Sequence, residues 1–410
     1  MTWDFDIAIV GGGPAGSSTA LHLVRREGFC PSRIVMFEKA VHPREKPCAG
    51  AVSSWGLDAL DALGVSIGVP FVPMRGLRVV TAERSAEHRA SLGIVIRRSA
   101  FDESLWNTAR QDGVVALDGE PIVELTRVAE GFCLRTPSRL LRVRLIAACD
   151  GVGSSVRKLL GVREHSRRGH LFVLETPLTA ADEALRAGMC VFDLRIADRG
   201  VNGYVWDFPV PEGAYGAVSR GIYHSNSVPR RNLKKDLLES LSKRGINCEV
   251  SSLRAYSTRP FMSGAPLTLW RVALVGEAAG IDATTGEGIA QAIVMGGIAA
   301  RSLAQAARTG EGNLERYAEG VLGHRLGRHL LQSAWLAERV YGNRGRVWRH
   351  WLAGHSQACE AGALWYVGRP IGWAAKFRLG LSLASTVARA AIREPSRLDY
   401  PLETSSSPTI

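Results

Sequence analysis

Residues 6–16 read Asp-Ile-Ala-Ile-Val-Gly-Gly-Gly-Pro-Ala-Gly, and no other stretch constrains the fold of this chain as strongly. Ile7, Ile9 and Val10 make an apolar, β-branched run that breaks at Gly11, Gly13 and Gly16, in GxGxxG spacing. The pattern predicts a strand, a tight turn and the start of a helix. Glycine suits this turn because a side chain would keep the backbone away from a pyrophosphate. The amides that open the helix, next to Pro14 and Ala15, supply donors and partial positive charge. The motif alone is common, so its context matters. Ala15, Ala20, Leu23 and Val24 give the helix an apolar side, Gly28 ends it, and residues 33–38 form a second apolar strand closing on Glu38. That acid falls about twenty residues after the last glycine, where a dinucleotide fold places the acceptor for ribose hydroxyls. An acid at this point argues against a ribose phosphate.

The rest of the composition bounds the answer. With 46% hydrophobic and 22% charged residues, the 410-residue chain reads as globular rather than disordered. Cys30, Cys48, Cys133, Cys149, Cys190, Cys248 and Cys359 are scattered, without CxxC or Cys/His spacing, so reduced thiols and no metal are expected. The N-terminus carries no basic leader or apolar signal core, and no apolar run approaches the roughly 20 residues of a membrane span. The expected address is cytoplasmic, with peripheral contact at the inner membrane surface as an alternative. A net charge of +12 favours an acidic partner: an anionic membrane surface, an acidic carrier or electron-transfer protein, or an anionic substrate. Basic proteins without such a partner are also common. Nothing resembles a nucleic-acid-binding module.

Along the chain, residues 39–50 form a loop broken by Pro43 and Pro47, and residues 74–96 alternate as two strands around a polar turn. A helix is expected from Arg98, with Ser99 as its cap and Phe101, Leu105 and Ala109 on one face. Residues 141–151 are a strand entering an Asp-Gly turn. Short strands within 171–258, with a charged helix at 231–244, predict an antiparallel sheet inserted into the first unit. Residues 269–280 return to the strand-and-glycine pattern, and a long apolar helix begins near Gly286. Beyond 314 the periodicity is helical, with Trp335, Trp348, Trp351, Trp365 and Trp373 interleaved with arginines. They suit a cap over an apolar pocket, a membrane-surface contact, or helix packing on the core.

Four pieces in this order resemble the FAD-dependent oxidoreductase superfamily that contains aromatic hydroxylases of the p-hydroxybenzoate hydroxylase type, flavin-dependent halogenases and geranylgeranyl reductases. The geranylgeranyl reductase-like branch fits best. The pieces are Gly11–Gly16 with Glu38; Arg98 with Phe101 and Asp102; Asp150-Gly151 with Ser154, Val156 and Arg157; and Gly276 to Gly280 with Gly286-Glu287-Gly288-Ile289. The resemblance implies an α/β chain, α+β overall. A discontinuous Rossmann-like FAD/NAD(P)-binding domain (1–73, 97–165, 266–310) would interleave with an antiparallel β-sheet substrate domain (74–96, 166–265). A helical C-terminal region (311–400) and a tail (401–410) would follow.

It also implies FAD as cofactor, bound by Gly11, Gly13, Pro14, Ala15, Gly16, Glu38, Lys39, Arg44, Cys48, Ala49, Gly50, Arg98, Asp150, Gly151, Gly276, Glu277, Gly286, Gly288 and Ile289. Cys48 would be a candidate proton donor, and Tyr204 and Trp206, within Tyr-Val-Trp-Asp-Phe-Pro, would wall the substrate. The implied activity is hydride transfer to or from an apolar, isoprenoid or carrier-bound substrate, with NAD(P)H, ferredoxin or oxygen as electron partner. Two alternatives stand beside it: a monooxygenase or halogenase of secondary metabolism that uses oxygen, and a non-catalytic escort for prenylated partners. Three departures stand out. Glu277 replaces a usual aspartate, Ala283 a usual proline, and Gly216-Ala-Val218 lacks a second glycine. Tyr204 and Phe208 stand where halogenases prefer Trp and Ile.

Overall fold

The structure is a computed structural model describing residues 2–162, 168–212, 216–225, 231–248, 250–342 and 345–393, so the tail 401–410 lies outside the described residues. The chain opens with β1 (Phe5–Val10), α1 (Pro14–Arg25) and β2 (Ile34–Glu38), then runs through β3 (Ala51–Ser53), α2 (Ser54–Asp61), β4 (Phe71–Val80) and β5 (Ser85–Ile96). It continues with α3 (Arg98–Gln111), β6 (Val115–Asp118), β7 (Glu124–Val128), β8 (Gly131–Arg135), β9 (Leu140–Ala148) and α4 (Ser155–Leu159). Next come β10 (Gly169–Pro177), α5 (Glu183–Arg186), β11 (Met189–Asp193), β12 (Gly203–Val210), β13 (Ala217–His224), α6 (Leu233–Ser242) and β14 (Arg254–Thr258). The last strands, β15 (Thr268–Leu269) and β16 (Val272–Leu274), lead into α7 (Ile289–Thr309). Five helices finish the described residues: α8 (Glu315–Gly323), α9 (Arg325–Tyr341), α10 (Gly345–Gly354), α11 (Ser356–Tyr366) and α12 (Trp373–Arg393).

Two sheets result. The first runs β15-β16-β9-β1-β2-β6, parallel from β16 to β6, with the β7–β8 hairpin attached through β8 to β9. Ile7 and Ile9 are fully buried in its centre, as the β-branched run requires of a strand covered on both faces. The second sheet runs β14-β10-β13-β12-β11-β4-β5-β3. Its pairings are antiparallel except β11 with β4, which run parallel. Residues 51–53, within the stretch 1–73 assigned above to the nucleotide unit, pair with β5 in this second sheet.

One apolar core lies between the first sheet and its helices, centred on α1 and α7. A second joins the inner face of the other sheet to α9, α10 and α11, and a third joins its outer face to α6. The chain therefore crosses between the sheets several times before either is complete. No described helix is long and apolar enough to cross a membrane.

Candidate functional site

The turn after β1 shows why its glycines are needed. Gly11 has φ +112°, and a Cβ on it would stand 2.4 Å from the Cys149 carbonyl oxygen at the end of β9. A Cβ on Gly16 would lie 1.9 Å from the Gly11 carbonyl oxygen, so α1 rests directly on the turn. Gly12, which the motif spacing does not single out, leaves room for the Trp106 ring. Pro14 fits the first helical turn, where its missing N–H is no loss. Gly13 caps α1 with no side chain, and no acid sits in the first turn. The helix N-terminus therefore keeps its donors and its partial positive charge for a ligand.

That turn borders a cavity of about 380 Å³ at the C-terminal ends of β1 and β9, where the first sheet meets β10 and β14 of the second. Gly11, Gly13, Pro14 and Ala15 form one wall, and Glu38, Lys39 and Arg44 another. Cys48, Arg98, Asp150, Gly151 and Glu277 also face it, as do Gly286, Gly288 and Ile289 before and at the start of α7. A larger recess, about 460 Å³, lies elsewhere on the second sheet. Its arginines are engaged in ion pairs, Arg195 with Asp193 and Arg244 with Asp207, so it offers little free charge.

Glu38 is buried and accepts from Gly12 N at 2.9 Å and from Ala40 N at 3.2 Å. Arg44 bridges it to Asp102, with Nε 3.1 Å from Glu38 and a terminal nitrogen 3.3 Å from Asp102. Arg98 donates to both Asp102 oxygens, at 2.9 and 2.7 Å. This pair explains where α3 begins. The helix starts at Arg98 with Arg97 as N-cap, so Ser99 lies inside the first turn rather than capping it. Arg98 and Asp102 then sit one turn apart on one face. Burial opposes the Arg98 charge, but Asp102 more than offsets it, and its pKa is raised.

Asp150 uses one carboxylate oxygen to accept from Ser155 Oγ and Val156 N, both at 3.0 Å. Its other oxygen, Oδ1, is buried without a hydrogen-bond partner among the described residues. Such an oxygen in a cavity wall fits a ligand that donates to it. Ser154 caps α4 by accepting from Arg157 N at 3.1 Å, and Arg157 donates to the Ala278 carbonyl at 3.3 Å. Arg157 thus ties the Asp-Gly turn to the Gly276 turn.

Glu277 is the departure the geometry explains most directly. Its carboxylate lies 3.4 Å from Lys46 Nζ and 3.3 Å from the Tyr256 hydroxyl, which donates to it. A shorter aspartate would fall back from both. Burial disfavours the Lys46 charge, but Glu277 and Tyr256 outweigh that and its pKa lies above the usual lysine value. Ala283 also finds a reason, because its N–H donates to Ser333 Oγ at 3.1 Å, a bond proline cannot make. The carbonyls of Ala283, Thr284 and Thr285 accept from the hydroxyls of Tyr223, Tyr341 and Tyr204 respectively. Three tyrosines thus fix the loop that delivers the start of α7.

Other predicted residues lie behind the cavity. Gly276 has φ +63° and brings its turn against Ala15 and Ala292, and Gly50 has φ +84° with its Cβ direction blocked by the Ile96 carbonyl. Ala49 packs against the second core. Tyr204 and Trp206 do not line the cavity. Tyr204 sits among Phe192, Trp206 and Tyr223, and Trp206 donates to Ser219 Oγ at 3.2 Å over the bare Cα of Gly221.

Glu287 is buried before α7, and its Oε1 accepts from Ala290 N at 2.9 Å. Burial raises its pKa from 4.5 to about 8. The folded state then holds a proton that the unfolded chain releases, so stability falls as pH rises between about 4.5 and 8. Glu287→Gln should lack this loss. Thermal unfolding at a series of pH values should show the variant gaining several degrees on the parent by pH 8, then levelling.

No protein-family model matches the chain. An uncharacterized protein of Methanosarcina barkeri is 28% identical over 311 residues, spanning 75% of this chain and 76% of the relative. A digeranylgeranylglycerophospholipid reductase of Thermoplasma volcanium is 26% identical over 319 residues, 72% of this chain and 77% of that one. Among solved structures, a geranylgeranyl bacteriochlorophyll reductase-like protein of Thermoplasma acidophilum superposes with a TM-score of 0.69 at 20% identity, covering 95% of this chain and 98% of its own. A halogenase variant solved in complex with FAD gives 0.66 at 14% identity, over 96% and 92%. The relatives and the fold thus agree with the resemblance to the geranylgeranyl reductase-like branch carried by the motifs.

Proposed function

We propose that the cavity binds FAD and that the protein is an oxidoreductase moving hydride to or from an apolar organic substrate, isoprenoid or carrier-bound. One observation carries this reading. The glycine turn, Glu38, Arg98, Asp150 and the start of α7 come from separate parts of the sequence and face one cavity. When bound, FAD would supply the electron-pair chemistry, which the protein's groups position and tune.

The open N-terminus of α1 suits a pyrophosphate, Glu38 suits ribose hydroxyls, and the unpartnered Asp150 Oδ1 suits a hydroxyl donor. The backbone before α7, held by Tyr204, Tyr223 and Tyr341, would bring partial positive charge to the far end of the cavity. Cys48 faces the same cavity as Arg98 and is the candidate proton donor for the reducing direction. Tyr204 acts here through the Thr285 carbonyl, as a positioning residue. The name of the Thermoplasma volcanium relative supports a reductase with a prenyl-chain substrate.

The test is anaerobic reduction of flavin-loaded protein by NADPH, ferredoxin or dithionite, followed by polyprenyl acceptors and mass spectrometry of the products. Saturation of a prenyl double bond without oxygen is expected. Turnover that strictly needs oxygen and inserts an oxygen atom would replace this reading with a monooxygenase. Protein that stays colourless with added FAD would remove the cofactor assignment and revive a binding or escort role.

A further inference from the structure

Among the described residues, the side-chain hydrogen bonds that tie helix α12 to other elements lie on one side of it. Trp351 Nε1 on α10 donates to Ser382 Oγ at 2.8 Å, and His355 Nε2 lies 3.3 Å from Thr386 Oγ1. On the opposite side Trp373, Phe377 and Leu381 follow at four-residue intervals and are 87%, 69% and 58% exposed. That spacing puts them on one helix face, which Ala384 and Ala388, also exposed, continue by periodicity. Lys376 and Arg378 are exposed and flank the stripe on its two sides, the Lys376 nitrogen 5.6 Å from the Trp373 ring centroid. The helix holds no Asp or Glu in its 21 residues. Single exposed apolar residues are ordinary, whereas an aligned stripe headed by Trp marks a contact surface.

We infer that this face docks the protein on an anionic lipid bilayer, with α12 lying in the plane of the headgroups. Trp, Phe and Leu on one face, flanked by cations, are the chemistry of an interfacial helix. Trp in particular suits the headgroup level, where one edge is apolar and the other wet. No described helix is built to span a membrane, so contact is from one side. A second copy of the chain is a poorer occupant. Two-fold pairing of this stripe would set its cations against the same cations, with no acid on the helix to answer them. Acidic headgroups answer them, and the net charge of +12 acts in the same direction. This docking surface stands independently of the chemistry proposed for the cavity.

The experiment is flotation of the 410-residue protein, as purified, with phosphatidylcholine vesicles, and with vesicles of equal parts phosphatidylcholine and phosphatidylglycerol. The parent protein should float with the phosphatidylglycerol vesicles, less with phosphatidylcholine, and less at about 1 M salt. Trp373→Glu, Phe377→Glu and Leu381→Glu together should weaken vesicle binding by about 30-fold or more. Lys376→Glu with Arg378→Glu should erase the phosphatidylglycerol preference. Both variants should keep the parent's circular dichroism and flavin content. If the triple variant fails to fold, the charge-reversed pair, which leaves the apolar stripe intact, decides the matter. Parent protein that does not float, or variants that float equally well, overturn the inference. So does a parent dimer that the triple variant dissociates without any vesicle binding, since the stripe would then belong to a second copy.

Discussion

Gly16→Ala should purify without flavin. The new methyl would stand 1.9 Å from the Gly11 carbonyl oxygen and 3.2 Å from Ile9 Cγ2, and neither can swing away as the tip of a long side chain would. Either α1 lifts off the turn or the turn leaves the end of β1. Overpacking of this kind costs about 1–3 kcal/mol of stability. The larger effect falls on the ligand, because the amides at the start of α1 retreat from the place a pyrophosphate would occupy. We expect FAD affinity to fall by about 100-fold or more, equivalent to about 2.7 kcal/mol, read by titration into the apoprotein. Gly28→Ala is the control. Gly28 has φ +59°, so alanine is strained there, but nothing lies within 4 Å of its Cβ position and flavin content should hold. A Gly16→Ala protein that retained stoichiometric flavin would show that the glycine turn does not face the cofactor.

Asp102→Ala should be the most destabilising substitution outside the apolar cores. The carboxylate is fully buried and holds Arg98 through two hydrogen bonds and Arg44 through a contact at 3.3 Å. Alanine leaves the buried Arg98 without its partner and Arg44 with Glu38 alone. Removing one member of such a pair costs about 3–5 kcal/mol, because the remaining charge stays desolvated. Urea unfolding measures this loss. Arg98→Leu combined with Asp102→Leu should cost less than the two single changes added together, since neither charge is then stranded. A loss below about 1 kcal/mol for Asp102→Ala would mean that solvent or Arg44 reaches Arg98 freely.

The parts of this arrangement legible in the sequence are those whose physics is local. Gly11, Gly16 and Glu38 could be read because turn, helix start and acid lie within one strand-helix-strand unit. Arg98 and Asp102 could be associated because they are four residues apart. The helix cap next to them was harder, since Ser99 is a good cap by composition, whereas the N-cap is Arg97, two residues earlier, with no side-chain cap bond. β12 gave no way to choose a face. All of its residues are buried, so alternation does not separate a cavity-lining Tyr204 or Trp206 from a packed one. Lys46, Tyr256 and Glu277 meet only through the tertiary fold, Lys46 and Glu277 being 231 positions apart in the sequence. Glu277 in place of aspartate was the one sequence sign of that cluster. The parallel pairing of β11 with β4 carries no sequence mark at all.

The packing of α7 against α1 also sets a clock. Ser18 Oγ donates to the Ile293 carbonyl across 275 residues of chain. At ~5–20 residues per second, a ribosome takes ~14–55 s to make the stretch between them. Throughout that interval the first helix has been made but its partner has not, and its apolar side must be shielded by something other than its native neighbour. The end of the fold that carries the glycine turn is thus completed only long after α1 has been made.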